Sequence, residues 1–359
     1  MRTIDTKRRS QQVLDLQKKF ASRIVGQEEA TEAITNCLEK YLGGLADNTR
    51  PIASLLFLGP TGTGKTSVVE ALCEGLYESS TMMVRIDCAE FQYGHEIAKL
   101  IGSPPGYLGH KETPAVLTMK SLLEKQTMET PFTVVLFDEI EKASDELWHL
   151  LLGVLDKGRL TLGDNSVTNF TRCIIIMTSN VGARTLATAA GEGGLGFQSL
   201  LHEHMTPKEV KEISMSAARR KFTPEFLNRL DEIVTFNTLT KDQIEEVMGM
   251  ELAKIQKTYI AKTGSQLHVS PAALDELLLR GYDKKYNARG IKRTLEKEIM
   301  TPIARALSCY EAKFGDTIVI DYTDDGEFKF YVLGKVPDGA NGDVTESVLP
   351  SGQLSLPIL

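Results

Sequence analysis

One run of residues carries the plainest chemistry in the chain. Gly59, Pro60, Thr61, Gly62, Thr63, Gly64, Lys65 and Thr66 fit the pattern G-x-x-x-x-G-K-[ST] in full. The glycines let successive backbone N–H groups turn inward around phosphates. Lys65 is positioned to reach β- and γ-phosphates, and Thr66 offers a hydroxyl to Mg²⁺. A glycine-rich turn with a chance lysine is the plain alternative, but the flanks speak against it. An apolar run at 53–58 predicts a strand before the loop, and residues 67–73 predict a helix after it. The loop would then end on a helix N-terminus, where unpaired donors and the helix dipole favour an anion.

Two further places supply what a phosphate cradle needs. Phe132-Thr133-Val134-Val135-Leu136-Phe137 is near-continuously apolar, the pattern of a parallel strand buried on both faces, and it ends in Asp138 and Glu139. A solvated strand end could carry the same carboxylates. With the cradle upstream, Asp138 is expected to orient Mg²⁺ through water and Glu139 to polarise the attacking water. Cys173 to Thr178 is another apolar strand and ends in Ser179-Asn180. Ser-Asn after a strand is usually a turn, so the reading that Asn180 holds the same water leans on its neighbours.

The elements that must position these residues alternate between strand and helix. Further strands are predicted at 82–87 and 232–236, a hairpin at 159–170, and helices at 7–23, 116–129, 144–155 and 207–220. This alternation predicts an α/β fold, a parallel sheet flanked by helices. After residues 237–240 the pattern changes. A long helix at 242–262, one opening at Ser270-Pro271, one at 287–307 bent near Pro302, and strands at 316–321 and 327–333 predict a second, smaller, mostly helical α+β domain. The expected organisation is an N-terminal helix or linker at 1–22, a nucleotide-binding domain at 23–236, a small domain at 237–335 and a flexible tail at 336–359, rich in Gly, Pro and Ser.

Composition narrows the partners. The 359 residues carry 48 acidic and 41 basic side chains, a formal net charge of −7, which disfavours non-specific nucleic-acid binding. No run is long enough to span a bilayer, and residues 1–9 are basic without the apolar segment of a secretory signal. The five cysteines show no metal-ligand spacing, and Cys73, Cys88 and Cys173 sit in apolar surroundings as small core residues. A reducing, cytoplasmic setting is expected.

Taken together, the motifs resemble the AAA+ ATPases of the Clp/Hsp100 class, in particular the second ATPase module of the ClpB, ClpA and ClpC unfoldases. The resemblance covers roughly residues 15–335. It rests on Arg23-Ile24-Val25-Gly26-Gln27, the 59–66 loop, Arg85-Ile86-Asp87, residues 102–109, 134–143, Gly158-Arg159-Leu160-Thr161, 175–182, 222–231 and 281–289. It implies an AAA+ P-loop NTPase fold, with ATP and Mg²⁺ as cofactors and a probe of roles residue by residue. Ile24 and Val25 would line the adenine pocket. Lys65 and Thr66 are the Walker A residues, Asp138 and Glu139 Walker B, and Asn180 is similar to sensor 1. Arg229 resembles the arginine finger offered to a neighbouring subunit's γ-phosphate; an ion pair within its own domain, to Asp231 or Glu232, is the plain alternative. Arg289 resembles sensor 2, although this chain has Asn287 where the family usually has Gly. Asn tolerates a left-handed backbone better than other non-glycine residues.

Tyr107 and Leu108, between Gly106 and Gly109, resemble the central pore loop, in which an aromatic side chain grips extended polypeptide without reading its sequence. The following His110-Lys111-Glu112 departs from the family's acidic, glycine-rich continuation. Leu195, Gly196 and Phe197 occupy the place of a loop that docks on a ClpP-type peptidase in protease-associated members; a surface loop with Phe197 folded back is the alternative. A first ATPase ring, a substrate-recruiting N-domain and a coiled-coil insertion are not seen in this sequence, so a small single-ring member or an excised module is expected. The function implied is an ATP-hydrolysing protein unfoldase working as a homo-oligomeric, hexameric ring on unfolded or tagged proteins. The rivals are a nucleic-acid motor or clamp-loader-like ATPase, which needs a basic channel, and a nucleotide-gated assembly module.

Overall fold

The computed structural model describes residues 8–103, 115–189, 206–264, 266–282, 287–313, 315–323, 325–333 and 356–357. Tyr107 and Leu108, and likewise Leu195, Gly196 and Phe197, lie outside the described residues. The chain divides into two units, Met1–Thr238 and Leu239–Leu359.

The first unit is built on a parallel sheet. Its strands are β1 (Ala53–Leu58), β2 (Val84–Asp87), β3 (Thr133–Asp138), β6 (Cys173–Ser179) and β7 (Glu232–Thr235); between β3 and β6 comes a separate antiparallel hairpin of β4 (Arg159–Thr161) and β5 (Val167–Asn169). The spatial order is β2-β3-β6-β1-β7, and every pairing is parallel. Successive strand residues point to opposite faces, and both faces are covered here. Leu55, Phe57, Val134, Leu136, Ile174 and Ile176 enter one apolar cluster; Leu56, Leu58, Val135, Phe137, Ile175 and Met177 enter another. That is why these strands read as continuous apolar runs rather than alternating ones.

Helices α1 (Gln11–Ala21), α2 (Glu28–Leu42) and α3 (Lys65–Tyr77) cover the first face. Helix α1 packs directly on α3: a Cβ added at Gly75 would lie 2.6 Å from Leu16 Cδ1, so glycine there permits the approach. Glu74 pairs with Lys19 at 2.6 Å and also with Arg23. The other face receives Leu100, Leu122, Leu151, Ala218 and Phe226 from α4 (Ala98–Ile101), α5 (Met119–Leu123), α6 (Asp145–Lys157), α8 (Pro207–Lys221) and α9 (Pro224–Asn228), with α7 (Ala183–Ala189) preceding α8. The helix expected over 116–129 is confined to α5. Thr118 caps its start, and the chain then turns, with Thr127 and Thr130 bonded to each other through backbone and hydroxyl. The Thr127 hydroxyl, accepting from Thr130 N, offers the backbone a local alternative to helix.

The second unit contains α10 (Lys241–Thr263), β8 (Leu267–Val269), α11 (Pro271–Gly281), α12 (Ala288–Leu295), α13 (Thr301–Ser308), β9 (Thr317–Tyr322), β10 (Phe328–Leu333) and β11 (Leu356–Pro357). Its sheet runs β10-β9-β8-β11, so two residues of the expected tail pair with β8. Ser270 caps α11: its hydroxyl accepts from Ala273 N and donates to the buried Asp321 carboxylate at 2.6 Å. The segment expected to bend near Pro302 carries a π-helical turn, Glu296–Met300, immediately before it. Proline has no N–H to give and crowds the carbonyl four residues back, and the Thr301 hydroxyl binds Glu296 O at 2.9 Å. No helix among the described residues is long and apolar enough to cross a membrane.

Candidate functional site

Parallel pairing of β3, β6 and β1 brings the C-terminal ends of three neighbouring strands together. There the chain leaves β1 into the glycine loop, β3 into Glu139 and β6 into Asn180. Crevices outside the carboxyl ends of parallel strands are where open α/β sheets bind ligands.

The loop's backbone needs its glycines. Gly59, Gly62 and Gly64 have φ of 153°, 81° and 98°. A Cβ at Gly59 would also lie 2.7 Å from Phe236 O, because Phe236 N bonds Leu58 O at 2.7 Å just beyond β7. Gly64 occupies the N-cap of α3 and supplies no side-chain cap, which leaves the helix's first-turn amides suited to an anion. Lys65 is 7% exposed. Its ammonium donates to Gly59 O at 2.8 Å, Pro60 O at 2.7 Å and Asn180 Oδ1 at 2.9 Å. The Thr63 hydroxyl donates to Pro60 O at 2.9 Å, and the Thr61 hydroxyl reaches Asn180 Oδ1 at 3.5 Å.

Asn180 joins the cradle to the carboxylates. While its side-chain oxygen accepts from Lys65, its Nδ2 donates to Glu139 Oε1 at 3.0 Å. Glu139 is held with φ 56° and ψ 48°, a left-handed conformation for a residue with a Cβ. Such backbone costs on the order of 1–3 kcal/mol and clusters at functional sites. Its N–H donates to the Thr178 hydroxyl at 3.0 Å, its carbonyl accepts from Lys142 N at 2.9 Å, and its carboxylate pairs with the Lys142 ammonium. The hydrogen bond that the Lys142 ammonium donates to the Glu139 carboxylate raises the Lys142 pKa above its ordinary value. Asp138 accepts from the Thr178 hydroxyl at 2.5 Å and from Arg85 at 2.6 Å.

Several residues of this site carried no role in the sequence. Thr178 links the Asp138 carboxylate to the backbone N–H of Glu139, and its signal was a polar residue closing an apolar strand. Glu141 Oε1 accepts from the backbone N–H of Asn180 at 3.0 Å, and its Oε2 is buried with no hydrogen-bond partner among the described residues. Gln27, 4% exposed, donates to Thr63 O at 3.1 Å and so grips the loop from behind. Ile24 and Val25 lie just upstream of Gln27 and are half-buried, with Ile24 packed against the cluster of α1 to α3.

Arg229 lies apart from this corner, and Arg289 belongs to the second unit. Arg229, at the end of α9, pairs through Nε with Asp156 Oδ1 at 2.6 Å; this is an ion pair whose angle is not that of a hydrogen bond. The partner is therefore neither Asp231 nor Glu232. Asp231 instead accepts from Ser54 N at 2.7 Å and Ser54 Oγ at 2.6 Å. Arg289 is exposed in the first turn of α12, in the second unit. Asn287 before it has the expected positive φ, 45°, but ψ of −133° takes it out of the left-handed helical region. That pair of angles resembles the glycine-favouring first corner of a type II′ turn.

A nucleotide with Mg²⁺ fits these residues. The loop presents backbone donors without side chains in the way, Lys65 supplies charge, and Thr66 with Asp138 offers the oxygen ligands that Mg²⁺ takes beside phosphates and water. Among the described residues no cluster of three or more His, Cys, Asp or Glu forms a metal cage, and Mg²⁺ bound with a nucleotide requires none.

The AAA domain (Cdc48 subfamily) family matches residues 50–233, and the C-terminal, D2-small domain of ClpB protein matches residues 239–320. The chain belongs to the AAA domain family, a nucleotide-binding class, and the resemblance to the Clp/Hsp100 type holds in both units. Among curated relatives, the chaperone protein ClpB of Rhodopirellula baltica is 37% identical over 313 residues, covering 87% of this chain and 33% of that protein. An ATP-dependent Clp protease ATP-binding subunit ClpA homolog of Guillardia theta is 37% identical over 339 residues, covering 94% of this chain and 40% of that protein. The chain thus spans between a third and two-fifths of the length of these relatives. Among solved structures, a closed-state cryo-electron-microscopy reconstruction of Hsp104 with ATPγS and FITC casein matches with a TM-score of 0.73 at 30% identity, over 90% of this chain and 52% of that one.

Proposed function

We propose that the chain is an ATP-hydrolysing protein remodeller that works as a hexameric ring of identical subunits and threads unfolded or tagged polypeptide through a central pore. The observation that carries the ATPase reading is the hydrogen-bonded run Lys65–Asn180–Glu139. It links the cation suited to phosphate with the carboxylate suited to water.

On binding, Lys65 exchanges its loop carbonyls for phosphate oxygens, and Ile24 and Val25 flank the base. Glu139 and Asn180 hold a water, and Glu139 takes its proton as the oxygen attacks the γ-phosphorus. The new P–O bond forms as the bond to the β-phosphate oxygen breaks, giving ADP and phosphate. Thr66, and Asp138 through water, would hold Mg²⁺, whose charge would neutralise the phosphates.

Arg229 is proposed to act on a neighbouring subunit. Its carbonyl is bonded at the opposite end of β1, where Ser54 Oγ lies 3.4 Å away, whereas the loop begins at Gly59. Five residues of strand, at roughly 3.3 Å each, separate the two ends, farther than an arginine side chain reaches. Arg289 is proposed as the residue of the second unit that senses the nucleotide. Tyr107 and Leu108 are proposed to grip substrate, and Leu195, Gly196 and Phe197 to dock a ClpP-type peptidase if one is used. Work in a reducing cytoplasm is supported by four buried free cysteines, Cys37, Cys73, Cys88 and Cys173.

Unfolding of a tagged fluorescent protein with ATP tests the proposal, with and without a ClpP-type peptidase. Loss of fluorescence that requires ATP and Tyr107 supports threading; degradation only with the peptidase supports delivery. ATPase activity stimulated by DNA and unmoved by unfolded protein would overturn the protein-remodelling reading.

A further inference from the structure

Two buried carboxamides meet the chain on either side of the point where one unit gives way to the next. On the side of the first unit, Gln27 stands at the N-cap of α2 yet makes no capping bond. Its amide group is spent elsewhere: Nε2 donates to Thr63 O of the phosphate loop at 3.1 Å and to Asn237 O at 3.0 Å, and Oε1 accepts from Asn237 N at 3.3 Å. A cap residue that gives up its cap leaves a helix-end donor to other partners, typically at a cost of about 1 kcal/mol. What it gains is a two-point grip on Asn237 and a third bond to the loop.

On the side of the second unit, Asn287 is 2% exposed and its Oδ1 accepts from Leu239 N at 3.4 Å. This residue stands in a glycine-favouring conformation. Glycine would relieve the backbone but could not make the bond, because the acceptor is in the side chain. Asn287 lies two residues before Arg289, at the N-cap of α12. Between Asn237 and Leu239 there is only Thr238, and the units divide at Thr238 and Leu239.

We propose that Gln27 and Asn287 are positioning residues that clamp the two ends of this covalent junction, so that a nucleotide settling on the phosphate loop at Thr63 is relayed through Gln27, Asn237, Leu239 and Asn287 to the helix start that carries Arg289. The inference rests on the nucleotide-binding reading of the loop. Each link is a hydrogen bond within one unit, and the backbone supplies the step between them. The side chain of Asn287 makes the link that glycine lacks, and the strained backbone is what the chain bears to keep it.

Amide hydrogen exchange of the full chain, with and without ADP and Mg²⁺, tests this. In the native protein, nucleotide should slow exchange about tenfold or more both in the loop peptide covering 59–66 and in the peptide covering 237–240. Asn287→Gly should keep the slowing in the loop and lose it at 237–240. Asn287→Asp, which retains the acceptor, should restore it. A structural role alone predicts the reverse for glycine, since relief of the backbone would leave 237–240 as protected as before. The variant Gln27→Met combined with Asn287→Gly should lose no more than the worse single variant, because links in series do not add. If nucleotide protects neither peptide in the native protein, the nucleotide-binding reading fails. If it protects the loop and not 237–240, or if Asn287→Gly keeps the response, the relay fails and the nucleotide-binding reading stands.

Discussion

The two ends of the central sheet are both polar, and they are built differently. At the C-terminal end, side chains bond one another as well as loop carbonyls: Lys65 to Asn180, Gly59 O and Pro60 O, Asn180 to Glu139, Thr178 to Asp138. At the N-terminal end, side chains mostly bond backbone. Asp231 accepts from Ser54 N, and Arg50 donates to Leu155 O at 3.1 Å and Arg229 O at 2.8 Å. The bonds at the second end tie β1 to the segment leading into β7. The Lys65, Asn180 and Glu139 side chains of the first end are the ones proposed to take phosphate and water as new partners, and the left-handed Glu139 lies in that end. One end is arranged to change partners and the other to keep them.

The largest effect that would break this comparison is at Glu139. Glu139→Gln should lower ATP turnover by about 100- to 10,000-fold, the range for loss of a general base, with nucleotide binding retained; turnover near that of the native protein would remove its role with water. Glu139→Gly should abolish turnover equally while thermal unfolding stays within about 1 kcal/mol. Relief of left-handed strain, roughly 1–2 kcal/mol, there offsets the greater freedom of glycine when unfolded.

Next comes Lys65→Ala, which should weaken nucleotide affinity by about 10- to 100-fold, as expected for charged hydrogen bonds worth about 1.5–3 kcal/mol. Equilibrium titration with a fluorescent ADP would read it, and unchanged affinity would count against the cradle.

At the other end, Asp231→Ala should cost stability rather than binding: about 1–2 kcal/mol by denaturant unfolding, discounted for a carboxylate that is 39% exposed, with ADP affinity per site unmoved. A binding defect without a stability loss would invert the contrast between the ends.

The smallest effect is expected at Asp156→Ala. Its pair with Arg229 is more than a third exposed on both sides, and such pairs contribute about 0–1 kcal/mol. Stability should hardly move, and turnover should stay or rise as Arg229 is released. Arg229→Ala should lower turnover in assembled rings; titrating the variant with subunits carrying Glu139→Gln should recover sites if the arginine acts in trans, and recovery of none would place its effect within one subunit.

Much of the site was legible because the functions demand particular residue types at strand ends. Glycine, lysine and threonine around phosphate, two carboxylates after an apolar run and an asparagine after another are chemical requirements that local spacing exposes. Gln27, Thr178 and Glu141 were not legible as site residues. Their roles depend on where β7, β3 and β6 lie, and a glutamine before a helix or a glutamate on a 3-10 turn has no local mark of its partner. Helix ends misread for a related reason: 116–129 has the composition of a helix, and the Thr127 hydroxyl competes for the backbone in the turn after α5.

The amino-acid sequence by itself determined the strand and helix alternation, the phosphate loop and the kinds of group that surround it, because periodicity and residue chemistry act over a few positions. Tertiary structure decided which of those groups touch. Parallel pairing in the order β2-β3-β6-β1-β7 put Asn180 between Lys65 and Glu139, and left Arg229 at the far end of β1. Strand order is set by the packing of both sheet faces into a single core on each side, a condition that no stretch of the chain meets alone.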